Sequence, residues 1–283
     1  MTVCVFGSIN RDHVLRVAAL PRRGETVPAL TTRTGLGGKG ANQAVAAVRS
    51  GAVTRMFGAL GDDAAGAFLY TQLHGHGVDV SGLVVQPRTL SGAAYVTVGA
   101  DGENHIVVAA HANGAALPPD DAALHGCTVA LAQLETPISS VEAFFDAAAR
   151  AGARCILNAA PAVAEGHNLF AKADILIVNA VELASYLGVA GEVDDLACAR
   201  EMLIRPGQCV IVTLGARGAA LISHDVIIRS PPVRVDRVMD TTGAGDAFCG
   251  TVAARLAAGD DWGTALNAAN AAAATCVQRH GAL

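Results

Sequence analysis

The sequence predicts an α/β fold: a mainly parallel central sheet with helices on both faces, plus a small β-sheet lid. Three observations carry that expectation. Short β-branched runs, almost continuously apolar, alternate with Ala-rich stretches, as strands buried on both faces alternate with crossover helices. Apolar residues make up 52% and charged residues 16% of the 283, enough for a large core and too many for disorder. Two segments, approximately 11–36 and 92–109, interrupt the alternation with polar, strand-like stretches. They read as insertions projecting from a single α/β domain, residues 1–283.

In chain order, VCVFG (3–7), VTRMFGAL (53–60), TVALAQL (128–134), RCILNAA (154–160), ILIVN (175–179) and CVIVTL (209–214) are the expected strands. Helices are expected near 39–50, 63–75, 138–150, 180–187 and 194–204, with two more over 244–277 split at Gly259-Asp260-Asp261. In the first insertion, Pro21, Gly24 and Pro28 punctuate short alternating stretches. In the second, two alternating strands flank the turn signal Ala100-Asp101-Gly102. A small sheet of this kind needs something to pack on, a ligand or a second subunit.

Composition excludes several classes. Net charge is −5 with no basic block, which argues against a nucleic-acid partner. Gly, Pro or charge interrupts every apolar run before it reaches membrane length. The start, MTVCVFGSIN, reads as a first strand and not as a signal peptide. Seven cysteines include no C-x-x-C pair, and Cys4, Cys155 and Cys209 sit in apolar runs, where a buried thiol is the ordinary reading. A cytoplasmic globular protein is expected. His74 and His76, beside Gly75 and Gly77, read as a helix end more than as a metal pair.

Two glycine-rich loops carry the chemistry. In GLGGKGANQAVAAVRSG (35–51), Gly35, Gly37 and Gly40 satisfy G-x-G-x-x-G, with Asp62 and Asp63 about 20 residues on. Context rejects a dinucleotide site, because the cluster follows the polar TTRT and not the first apolar strand. Lys39-Gly40-Ala41 also lacks the G-K-[ST] ending of a phosphate loop. In VMDTTGAGDAFCG (238–250), small residues precede a helix start, where free amides and the dipole's positive end suit an anion. Asp246 falls in the first turn; there it can take a proton from an attacking hydroxyl, or simply stabilise the dipole.

These two loops resemble the N- and C-terminal signatures of the ribokinase-like (PfkB) carbohydrate kinases, and the wording is most similar to the ribokinase branch. GSIN-x-D at 7–12, Leu134-Glu135, N-x-x-E at Asn179–Glu182 and TLGARG at 213–218 fall into the same register, so the resemblance covers nearly the whole chain. It implies ATP-dependent phosphorylation of a small sugar at a primary hydroxyl, with D-ribose to D-ribose 5-phosphate as the leading reaction. Asp246 becomes the general base, and the amides of Gly243, Ala244 and Gly245 the anion hole. Asn10, Asp12, Gly38, Lys39, Asn42 and Glu135 become sugar-side residues. Asn179, Glu182, Thr213, Gly215, Gly218 and Asn270 fall on the nucleotide side, with Glu182 holding Mg2+ through water.

The resemblance further implies that Asp240 and Thr242 bind a monovalent cation, K+, together with backbone carbonyls near Cys276 to Gly281. The chain stops at Gly281-Ala282-Leu283, where relatives usually continue, so an incomplete cation site is expected. A homodimer through the lid sheets is implied as well. Competing readings are a nucleoside kinase (adenosine or inosine), a kinase for another sugar such as fructose, a nicotinamide-dependent oxidoreductase, and a non-catalytic sugar sensor. Isolated from this register, Asn179 and Glu182 read equally well as a helix start, Asn270 and Cys249 as packing, and His13 and His105 as surface.

Overall fold

The computed structural model describes all residues except 192, 194 and 280. The chain opens with β1 (Thr2–Phe6), β2 (Asn10–Val17), β3 (Ala29–Gly37), α1 (Lys39–Arg49), β4 (Val53–Gly61) and α2 (Ala64–Gly75). It continues through β5 (Asp79–Gln86), β6 (Gly92–Val98), β7 (Asn104–Ala109), β8 (Cys127–Ala132), α3 (Ile138–Arg150), β9 (Arg154–Asn158) and β10 (Ile175–Asn179). Then come α4 (Ala180–Leu187), β11 (Cys209–Thr213), β12 (Ala219–Ile222), β13 (Ile227–Ser230), α5 (Ala244–Ala257) and α6 (Trp262–Cys276).

Among the described residues, the main sheet has nine strands in the order β13-β12-β11-β10-β9-β8-β1-β4-β5. Strands β11 through β5 pair in parallel, while β12 and β13 add an antiparallel edge. Successive residues of each inner strand feed opposite cores. Cys4 and Phe6 join α3 and α4 on one side, whereas Val3 and Val5 join α1, α5 and α6 on the other. That two-sided burial is why these strands read as unbroken apolar runs. Strand order reverses at β1, between β4 and β8, and a crevice at the carboxyl ends of such a switch point is where α/β sheets bind ligands.

The two insertions form one four-stranded sheet, in the order β3-β2-β6-β7. Two antiparallel hairpins join through the parallel β2–β6 pair. Asp12, Ala94 and Val108 stand in register across it, so one face carries Asp12, Val14, Val96 and Ile106, while the other carries His13, Tyr95 and Val107. His13 stacks on Tyr95 at 5.0 Å.

Three features differ from the sequence expectation. Strand β5 and the β12–β13 hairpin were not anticipated; β5 (DVSGLVVQ) is polar at its start, and β12 and β13 have four residues each. The helix expected over 194–204 begins on a residue outside the described set, and its described part is a 3-10 stretch, Leu196–Met202. Pro206 bars the continuation that a full α-helix would need.

Candidate active site

The link from β1 to α1 builds the first wall. Gly38 follows β3 and caps the start of α1 with φ 89°. A Cβ there would lie 2.8 Å from Ser8 O and 2.9 Å from Asn10 N, so only glycine lets α1 start against the end of β1. The helix N-terminus faces a carboxylate. Glu135 Oε2 accepts from Ser8 Oγ at 2.5 Å and from Lys39 N at 3.2 Å, as an anion at a positive helix end should. Asn10 is buried, and its Oδ1 accepts from Asn113 Nδ2 at 2.8 Å. Asn113 also accepts from Ile9 N at 2.9 Å, clamping the segment that carries Asn10.

Asp12 points beneath the small sheet into a cavity of about 780 Å³. Its Oδ1 is buried and lacks a partner among the described residues. Burial pushes its carboxyl up to about 7; Glu135 and Asp246 push the same way, and Arg33 opposes them. Gly37 makes room for it, since a Cβ there would fall 2.1 Å from Asp12 Oδ2. The cavity runs to Arg237–Thr242 and to the tail, Gly281–Leu283.

The second wall is the start of α5. Gly243 caps it with φ 79°, and Gly243, Gly245 and Asp246 line a smaller cavity of about 200 Å³ with Lys39, Asn158, Asn179, Glu182, Thr213 and Cys249. Ala244 is turned away, its N–H donating to Thr241 O at 3.3 Å. Asp246 is buried, and both carboxylate oxygens are held by α1: Oδ2 accepts from Asn42 Nδ2 and Oδ1 from Gln43 Nε2, each at 2.9 Å. Burial raises its pKa, against the charge of Lys39 and these two hydrogen bonds. Burial alone would lower the pKa of Lys39, but Asp246, Glu135 and Glu182 outweigh it and the group stays raised and charged. Helices α1 and α5 come this close because Gly250 faces α1; a Cβ there would lie 2.3 Å from Gln43 O.

Asn179 and Glu182 form a reciprocal capping box, each side chain accepting from the other's N–H at 2.8 Å. The helix-start reading is thus realised, yet Glu182 also lines the smaller cavity, where burial raises its carboxyl. Thr213 lines that cavity too, whereas Gly215 and Gly218 shape the turn after β11 outside it. Asn270 is spent on structure, donating to Ser230 Oγ at 2.9 Å and Pro231 O at 3.1 Å.

Asp240 accepts from Thr242 N and from Gly281 N, both at 2.9 Å. Although burial pushes its carboxyl up, these bonds and the charge of Arg33 hold it below the usual range. The expected carbonyl ligands near 276–281 include residue 280, outside the described set. Gly243 abuts Ala282, whose Cβ a side chain at 243 would meet at 2.4 Å. Cys249 is fully packed yet borders the smaller cavity. Gln43, Asn113, Gln133 and Asn158 support the site without a recognisable motif of their own. Gln43 alone had a signal, its place beside Asn42 in the first glycine loop.

Known proteins resemble this chain over its whole length. The profile of the pfkB family carbohydrate kinases matches residues 1–283. The ribokinase of Haemophilus influenzae is 33% identical over 287 residues, covering 99% of this chain and 94% of its own. The bifunctional ribokinase/ribose-5-phosphate isomerase A of Fructilactobacillus sanfranciscensis is 36% identical over 261 residues, and this chain spans only 48% of it. The structure of Arabidopsis thaliana ribokinase complexed with ribose and ATP superposes with a TM-score of 0.89 at 32% identity, covering 99% of this chain and 93% of that one. The chain therefore belongs to the pfkB family of carbohydrate kinases and is a phosphotransferase with an alcohol acceptor.

Proposed function

We propose that this protein transfers the γ-phosphoryl group of ATP to the primary hydroxyl of D-ribose, giving D-ribose 5-phosphate and ADP. The observation that carries the reading is Asp246: a buried carboxylate on the glycine turn of α5, sharing one cavity with Lys39 and Glu182. In the forward step the sugar hydroxyl gives its proton to Asp246 and its oxygen bonds to the γ-phosphorus. The bond from that phosphorus to the β-phosphate oxygen breaks, and ADP leaves. Positioning and charge neutralisation do most of the work in such transfers. The backbone amides of Gly243 and Gly245, without that of Ala244, stabilise the charge developing on the transferred group, with Lys39 lining the same cavity.

Asn10, Asp12, Asn42 and Glu135, with the Gly38 turn, form the sugar side. The unpartnered Oδ1 atoms of Asp12 and Asn42 suit a ring that offers several hydroxyl donors. Thr213, the 215–218 turn and the Ser230 segment held by Asn270 form the nucleotide side. A hydrated Mg2+ keeps most of its waters, so Glu182 in the phosphate cavity fits an outer-shell role. Bound there, Mg2+ would neutralise phosphate charge. Asp240 and Thr242 offer the hard oxygen donors that K+ prefers, and Asp240 stays ionised. The protein acts in the cytoplasm as a homodimer through the small sheets.

A nucleoside acceptor is the second reading, favoured by the cavity of about 780 Å³ beneath the small sheet, which far exceeds a pentose. Coupled measurement of ADP release with ribose, fructose, adenosine and inosine separates the two. Ribose is expected to give the highest kcat/KM. A nucleoside preferred over ribose by tenfold or more would overturn the first reading in favour of the second.

A further inference from the structure

Gln43 is completely buried, which is unusual for an uncharged amide unless every polar atom has work. Its Nε2 has two hydrogens and spends both, on Asp246 Oδ1 at 2.9 Å and on Asn158 Oδ1 at 3.0 Å. Its Oε1 accepts from Gln133 Nε2 at 2.7 Å. Asn158 in turn donates to Ile177 O at 3.2 Å. Donation enters α1 from Gln133, just past β8, and forks at Gln43: one branch ends on Asp246, the other passes through Asn158 at the end of β9 to the carbonyl of Ile177 on β10. Reversing the Gln43 amide would aim its carbonyl at a carboxylate and break the bond from Gln133, so the orientation is fixed.

The other partner of Asp246 is differently placed. Asn42 Nδ2 bonds Asp246 Oδ2, while Asn42 Oδ1 is buried without a partner among the described residues. That amide is half used and able to exchange its bond when a hydroxyl arrives; the Gln43 amide is fully used.

We propose that Gln43 is the positioning residue of the reaction: held by Gln133 and Asn158, it anchors Asp246 Oδ1 in the core and leaves Oδ2 to take the sugar's proton. This rests on the reading of Asp246 as general base. Anchoring has an electrostatic side as well as a geometric one. A carboxylate this deeply buried must stay ionised to act as a base, and an amide N–H opposes the cost of burial. The other charged or titratable groups facing Asp246 are Lys39 from α1, Glu135 after β8, Glu182 from α4, Asp12 from β2, Cys249 within α5 and Cys276 from α6. Lys39 favours the ionised form, and the carboxylates oppose it. Gln43 and Asn42 add the neutral donors.

The test is the pH profile of kcat/KM for ATP at saturating ribose, where sugar binding no longer contributes. Gln43→Leu removes both N–H groups and should move the acidic limb upward by about one pH unit. Below the limb the loss should be about tenfold, and it should shrink as pH rises and Asp246 ionises. A loss equal at every pH, with the limb unmoved, would show a merely structural role and overturn the proposal. Should Gln43→Leu fail to fold, as judged by melting and ATP binding, Gln133→Met decides. That variant leaves Gln43 in place but releases its orientation, and a smaller upward shift supports the proposal while an unmoved limb overturns it. Asp246→Asn separates the two levels. Turnover retained there sinks the base reading itself; turnover lost there, with no limb shift in the Gln variants, sinks only the role of Gln43.

Discussion

Asp12 and Asp246 sit in one field of charge and meet it with different partners. Asp246 has two amide donors and Lys39 beside it, whereas Asp12 Oδ1 has no partner among the described residues and the carboxyl is pushed up to about 7. A raised carboxyl is ionised only above that value, and an ionised carboxylate accepts from sugar hydroxyls more strongly than a neutral acid. KM for the sugar should therefore fall as pH rises through about 7. Asp12→Asn should raise KM by roughly tenfold to a hundredfold and flatten that dependence, since hydrogen bonds to charged groups contribute about 1.5–3 kcal/mol. Initial rates across sugar concentrations at pH 6 to 8 measure both. A wild-type KM independent of pH would remove Asp12 from sugar binding.

At the scale of elements, the small sheet has the more exposed architecture. Strand β7 is an edge, and its Ile106, Val107 and Val108 are all more than half exposed, on both faces. Such an edge invites a covering partner, and a second copy is the simplest one. Light scattering at micromolar concentration should give twice the chain mass of 28.6 kDa, and Val107→Lys should return it to one; a wild-type monomer would contradict the dimer. The alternation that marked 92–109 as a hairpin is preserved in the register of Tyr95 with Val107. Strand β5 lacked such a signal because it edges the main sheet and carries no full alternation. The apolar pattern over 194–204 suggests a helix but says little about where Pro206 stops one, and its described part is the 3-10 stretch Leu196–Met202.

Across the whole molecule, what was legible follows from what the chemistry demands of sequence. A parallel sheet buried on both faces needs apolar runs, and glycine turns at helix starts need small residues in a row. Both leave patterns, so the main sheet, α1 and α5 could be read directly. Gln133, Asn113 and Asn158 left none, and Gln43 only its place beside Asn42, because each is a single amide whose role comes from neighbours 19 to 203 positions away. Asn179 and Glu182 show the converse, one spacing serving a helix cap and a cavity wall at once. The topology reconciles these scales: β1 and β8 meet where strand order reverses, and α1 and α5 close over that point through Gly250. The carboxylate they enclose is that of Asp246. The most direct measurement is ADP formation from ATP and ribose by Asp246→Asn, with ATP and ribose binding followed by calorimetry on the same preparation. The account predicts binding of both ligands with turnover reduced by at least about a thousandfold, beyond the 10²–10⁴ range's lower end typical of lost general-base catalysis; turnover near the wild-type rate would contradict it.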